Sequence, residues 1–441
     1  MTEKVLKGIT WGHSRGITPL LAAAQRYSEL HPGVTITWDK RTLQEFADYP
    51  LEKLTAVYDL LIIDHPWVGC AASKGCVLPL DQYLSPEYLK EQSENSVGYS
   101  HHSYHYEGHQ WALAIDAATP AASCRMDLLQ AAGRRSPETW EEVLEIGREG
   151  RLAVPAIPID LLMNFYMFCI AHGTRPFQQK EQVVNGATGI KALETMRELY
   201  SLIDPKMFGA NPITVAEWMT TTDDYWYCPF AYCYSNYTRK GYARNTLVYT
   251  DLVRMGSHGR LHSTIGGTGL AVSAYSQHKE LALDFAKMIV SPQCQSTLYV
   301  EHGGQPGHRL AWINEKANRL TQDFFYTLLP TMERGYMRPR YNGYLFFQDH
   351  AGQSIQDYLL NRTDAKTALA AIDQLYRESR TAASGGNESA GNRTAATQSN
   401  ELTADQIATT QSNEPTADQI TAMQSNELTA DRTVTPINFL P

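Results

Sequence analysis

The chain has 441 residues, 43% of them hydrophobic and 19% charged; that is apolar enough for globular cores and long enough for two lobes, since single cores stop growing at roughly 250–300 residues. A formal net charge of −9, with no basic stripe, argues against a nucleic-acid partner, because phosphate binding needs clustered Lys and Arg. No apolar run approaches the roughly 20 residues of a membrane span, so the chain is not expected to cross a membrane.

The first residues, MTEKVLKGITWGHSRG, run into a strand over 5–11 and lack the apolar stretch of a secretory signal, so the chain as written reads as cytoplasmic. The seven cysteines follow no framework spacing, which predicts free thiols in a reducing compartment. Apolar spacing at Leu20, Leu21, Ala24 and Tyr27 predicts a helix over 18–30, stopped by His31-Pro32-Gly33. Strands follow over 34–38 (VTITW) and 58–63, the latter of the buried parallel type, with a helix over 43–53 broken at Pro50 between them. This alternation means α/β.

Further on, Gly108 marks a hairpin turn between 104–106 and 110–115. Ser136-Pro137 reads as a cap and first-turn proline opening an amphipathic helix. Residues 157–170 read as a buried helix although Asp160 and Asn164 interrupt them. A glycine-broken strand is expected over 264–273, then a helix over 278–290 with Leu281, Phe285, Met288 and Ile289 on its apolar face. From 381 the chain turns Gly/Ser/Thr/Asn-rich and repeats QSNELTAD-type segments every 13 residues. That composition predicts a disordered tail.

The run YWYCPFAYCYSNY at 225–237 concentrates rings around Pro229, which disfavours a helix interior or a central strand and predicts a strand end or loop. Two readings stay open: a stacking surface for a small, partly polar ligand, or core packing. The histidines at 101, 102, 105 and 109 suggest a metal at first sight, but the hairpin turn scatters them and no metal is expected. GGTG at 266–269 lacks the residues of a phosphate loop and reads as a hinge.

In order and spacing, VLKGITW, YDLLIID, YHYEGHQWALAID, SPETWEEVLEIG and GGTGLAVSAYSQHKELALDFAKMIVSPQCQ resemble segments of the extracellular solute-binding proteins of ABC importers, in the carbohydrate-binding group of maltose-binding protein. The resemblance spans residues 5–380. It implies an α/β, two-lobe periplasmic-binding-protein-like fold with crossings near 111–116, 266–271 and 303–307. The lobes would comprise 1–112 with 268–308, and 113–267 with 309–380, before the tail at 381–441. It further implies a monomer without cofactor, metal or catalysis, which closes on a sugar or organic acid and serves an ABC permease from the periplasm or cell exterior. The alternative is a cytoplasmic sensor or enzyme on the same scaffold.

Ligands of open α/β sheets bind beyond the carboxyl ends of the strands. The candidates there are Trp11, His13 and Arg15 after the first strand, and Asp64 and His65, with the Trp67 indole nearby, after the third. The crossings add Asp116, Gly267 and Gln305. By the resemblance, Phe230 or Tyr232 supplies a stacking ring, with Tyr234 and Asn236 just beyond. Arg15 either grips a ligand carboxylate or ties its loop down. The Asp64 and Asp116 carboxylates either accept ligand hydroxyls or cap strand ends, and as a pair they keep a hydrolase reading open. The two histidines read either as ligand partners or as ordinary loop residues.

Overall fold

The computed structural model describes residues 3–42, 51–256 and 259–384. In chain order its strands are β1 (Lys4–Trp11), β2 (Val34–Arg41), β3 (Leu60–Ile63), β4 (His105–Tyr106), β5 (His109–Gln110), β6 (Leu113–Ala118), β7 (Pro120–Cys124), β8 (Tyr227–Tyr232), β9 (Val248–Thr250) and β10 (Gly266–Val272). A five-stranded sheet runs β2-β1-β3-β10-β6, parallel through β2, β1 and β3 and antiparallel at β10. A second sheet runs β8-β7-β9, wholly antiparallel.

All four residues of β3 are buried, as a strand covered on both faces requires. Leu60 and Ile62 join the core beneath helices Ser14–Leu30 and Lys279–Val290, while Leu61 and Ile63 join a separate core on the opposite face. A third and larger core surrounds the second sheet and the helix Pro158–Ala171. These cores define two lobes. The chain changes sheets at buried Thr119, between β6 and β7 and just beyond the expected crossing, and its hydroxyl donates to Thr264 O, 3.1 Å away. Gly266 and Gly267 pair beside it with Ala118 and Ala117, and Gln305 O accepts from Ala117 N at 3.0 Å. The three crossings therefore lie side by side. At Gly267, φ is +93° and a Cβ would lie 2.3 Å from Asp116 O, so only glycine fits.

Several local expectations need adjustment. The first helix begins at Ser14, because His13 caps it by accepting from Arg15 N with Nδ1. Trp140–Arg148 is capped by Thr139 in a capping box with Glu142, three residues after the expected Ser136, since Glu142 Oε2 accepts from both Glu138 N and Thr139 N. On Lys279–Val290 the buried stripe is Ala282, Phe285, Ala286, Ile289 and Val290, leaving Leu281 and Met288 at its margin. The hairpin turn falls as expected, with Glu107 and Gly108 both at positive φ.

Residues 43–50 of the expected helix lie outside the described residues, and Leu51–Thr55 is helical. Of the tail expected from 381, the first four residues belong to helix Ala365–Ser384; the remainder lies outside the described residues. Among the described residues, no helix is long and apolar enough to cross a membrane.

Of the aromatic run, residues 227–232 form a strand, β8, where a strand end or loop was expected, and 233–237 leave its end as expected. Pro229 is accommodated because β8 is an edge strand and bulges there, Pro229 and Phe230 together facing the single Ala122 of β7.

Candidate functional site

Between the lobes lies a cleft of about 730 Å³, within the roughly 300–1,000 Å³ of small-molecule sites. The first lobe contributes Trp11 from the end of β1, and Asp64 and Trp67 from the turn after β3. The second lobe supplies Tyr232 from the end of β8 and Tyr234 just beyond it, and the opening residues of helix Pro158–Ala171. Four aromatic rings thus meet carboxylates in one space, the mixture that holds a ligand with apolar faces and polar edges.

Two ion pairs frame it, Arg15–Asp116 buried and Arg338–Asp64 with the carboxylate partly exposed. Arg15 reaches both carboxylate oxygens of Asp116, with Nε at 2.9 Å from Oδ2, and its Nη1 donates to Cys233 O at 2.9 Å. Its guanidinium also lies over the Tyr234 ring, 4.8 Å from the centroid. Burial alone would lower the Arg15 pKa, but the Asp116 carboxylate outweighs it and raises it. In the second pair, Arg338 Nη2 donates to both oxygens of Asp64 at 2.7 and 2.6 Å, and Nη1 donates to Gln348 Oε1 at 2.8 Å. Burial pushes the Asp64 carboxyl up, yet Arg338 and the His65 N–H overcome this and hold it below the usual carboxylate range. Beyond Arg338, Arg340 Nη1 donates to His102 O at 2.9 Å and Asn342 Nδ2 to Ser73 Oγ at 3.1 Å, tying the two lobes together.

Among the described residues, Asp160 has no such partner. It sits in the first turn of helix Pro158–Ala171, on the cleft wall, 7% exposed, and its Oδ2 has no hydrogen-bond partner. Burial raises its pKa to about 8. The turn is held in place by helix Tyr344–Leu359, which comes so close at Gly352 that a Cβ would lie 2.0 Å from Pro158 O.

The residues expected from sequence divide between cleft and scaffold. Trp11, Arg15, Asp64, Tyr232, Tyr234 and Gly267 line the cleft. Asp116 is buried behind Arg15, which occupies both its oxygens. His13 packs edge-on to Tyr234 at 4.5 Å, and burial followed by Arg15 lowers its pKa to about 4. His65 is fully buried beside Asp64, its pKa likewise lowered to about 4 by burial and then by Arg338. Gln305 accepts from Ser235 N at 3.1 Å and donates to Ala117 O at 2.8 Å, bridging the crossings. Asn236 is buried against Gly303.

Phe230 is a correction. It is 1% exposed and packs edge-on against Phe168 at 5.7 Å, so it belongs to the second-lobe core and not to a stacking surface. His109 pairs with Asp81, 2.9 Å away, which separates it from the other histidines of its cluster. Sequence reasoning missed Asp160, Arg338 and Gln348 as cleft residues. Only Asp160 carried a signal, an acid inside an otherwise apolar helix.

The fold and the cleft define a solute receptor, and the chain belongs to the bacterial extracellular solute-binding protein family, whose sequence model matches residues 13–295. Among solved structures, it is similar to maltose-bound MalE3 of T. maritima at 17% identity, with a TM-score of 0.75 over 85% of this chain and 99% of that one. The ABC transporter solute-binding protein of Agrobacterium radiobacter K84 in complex with ribitol gives 18%, 0.74, 86% and 99%. One from Thermotoga lettingae TMO bound with α-D-tagatose gives 16%, 0.72, 86% and 100%. At these identities the likeness is one of fold.

Proposed function

We propose that this solute-binding protein captures a small polyhydroxylated molecule, of sugar or polyol type, in the interlobe cleft and delivers it to an ABC permease outside the cytoplasmic membrane. The observation that carries this reading is the convergence of Trp11, Trp67, Tyr232 and Tyr234 on a cleft that also presents carboxylates. Ring faces match the C–H faces of such a molecule, and carboxylates accept its hydroxyls. Similar folds hold maltose, ribitol and tagatose, which supports the class of ligand.

Trp11, Asp64, Tyr232, Tyr234 and Gly267 contact the ligand in this reading. Asp116, His13, His65, Asn236 and Gln305 hold the walls and crossings, and Arg15 serves mainly to bind the lobes. The crossings act as the hinge, and a ligand favours closure by its greater affinity for the closed state. A thermal-shift and calorimetric screen over sugars, polyols and sugar acids tests the proposal. Saturable binding with the ligand recovered unchanged supports it. Turnover of the ligand, or no binding in any class, contradicts it.

A further inference from the structure

We propose that the cleft is specific for a cationic solute, a hydroxylated small molecule bearing one protonated amine whose ammonium sits against Asp160. The inference rests on the proposed function and narrows its ligand class.

Charge accounting within the cleft leads there. Both guanidinium groups that line it are already neutralised by carboxylates, Arg15 by Asp116 and Arg338 by Asp64. An anionic ligand would have to compete with those internal partners. Asp160, by contrast, stands in the first turn of its helix with its Oδ2 buried and without a hydrogen-bond partner among the described residues. A carboxyl used only to accept ligand hydroxyls would be kept ionised by a protein donor, as Asp64 is by Arg338 and the His65 N–H. None of the described residues does this for Asp160, and a positive charge on the ligand restores its ionised form more strongly than neutral hydroxyls do. Once ionised, it stands in the first turn of its helix, where the dipole favours a negative charge.

The surrounding groups leave that role to the ligand. Tyr200, Cys228, Tyr232 and Tyr234 lie within electrostatic reach of Asp160. Burial pushes all four pKa values up, Cys228 and Tyr234 to about 12 each, so they stay neutral at neutral pH. From helix Tyr344–Leu359, Asp349 and His350 also face the cleft. Asp349 adds a further acidic side chain. The partly exposed Tyr232 ring can offer its face to the same cation, while Tyr234 already carries Arg15 over its ring.

The test is calorimetry with a panel of amino sugars and amino alcohols, each paired with its N-acetylated and its hydroxyl counterpart, plus uronates. We expect an amine-bearing member to bind at least tenfold more tightly than either counterpart. Because free Asp160 titrates at about 8, binding at pH 7 releases close to one proton, seen as buffer-dependent heat. Asp160→Asn should weaken that member at least tenfold and abolish the proton release, while its thermal unfolding shows that it folds. Tighter binding of a neutral or anionic member, or an unchanged affinity in Asp160→Asn, overturns this inference and leaves the proposed function standing. Binding in no arm overturns both.

Discussion

The two walls of the cleft treat their charges in opposite ways. On the first-lobe side, Asp64 is gripped by Arg338 through both oxygens, and Asp116 is held by Arg15. On the second-lobe side, Asp160 is left alone in an apolar turn. Paired charges fix the positions of segments far apart in the chain, since removing one partner strands the other in low dielectric. An unpaired buried carboxyl does the reverse: it destabilises the empty protein and is relieved by the ligand.

Breaking the paired side should have the largest effect. Asp116→Ala leaves Arg15 buried without a countercharge and should cost about 3–5 kcal/mol of stability, measured by urea unfolding. Phe230→Ala should cost about 3–4 kcal/mol by opening a cavity beside Phe168. Its ligand affinity should stay close to wild type, which distinguishes core from cleft.

The unpaired side should respond with the opposite sign. The Asp160 carboxyl is raised in the folded state relative to about 4 when unfolded, so its neutral form supports the fold at low pH and that support is lost as pH rises through about 8. Asp160→Asn should therefore be more stable than wild type at pH 8, by about 1–3 kcal/mol, and lose the advantage near pH 4. Melting curves across that range check it.

Tyr232→Ala should weaken ligand binding by about 1–3 kcal/mol with a smaller loss of stability than Phe230→Ala, read by calorimetry. The smallest effect concerns His13 and His65, whose folded pKa values are lowered to about 4. Held neutral, they contribute stability that is complete above about 6.5 and declines as pH falls toward 4. A His65→Gln variant should show a shallower decline over that window.

Much of the fold was legible because it follows from local pattern. The four-residue apolar β3 and the Glu107-Gly108 turn can be read from neighbours alone. Side-chain direction in β8 was not, because the bulge at Pro229 and Phe230, two residues facing the single Ala122 of β7, is defined only once the strands pair. That is why Phe230 and Tyr232, equal candidates in sequence, separate into core and cleft. Arg338 could not be found at all, since its partner Asp64 lies 274 residues away. Asp160 was visible as a polar interruption of an apolar helix, but its meaning depends on the absence of a partner, which only three dimensions reveal.

The central claim, solute capture between the lobes, is tested most directly by a crystal structure of the protein with the tightest-binding member of the screen. Ligand density is expected between Trp11 and Trp67 on one side and Tyr232 and Tyr234 on the other, with a donor atom at hydrogen-bond distance from Asp160. Density confined to another surface, with the cleft empty, would contradict it.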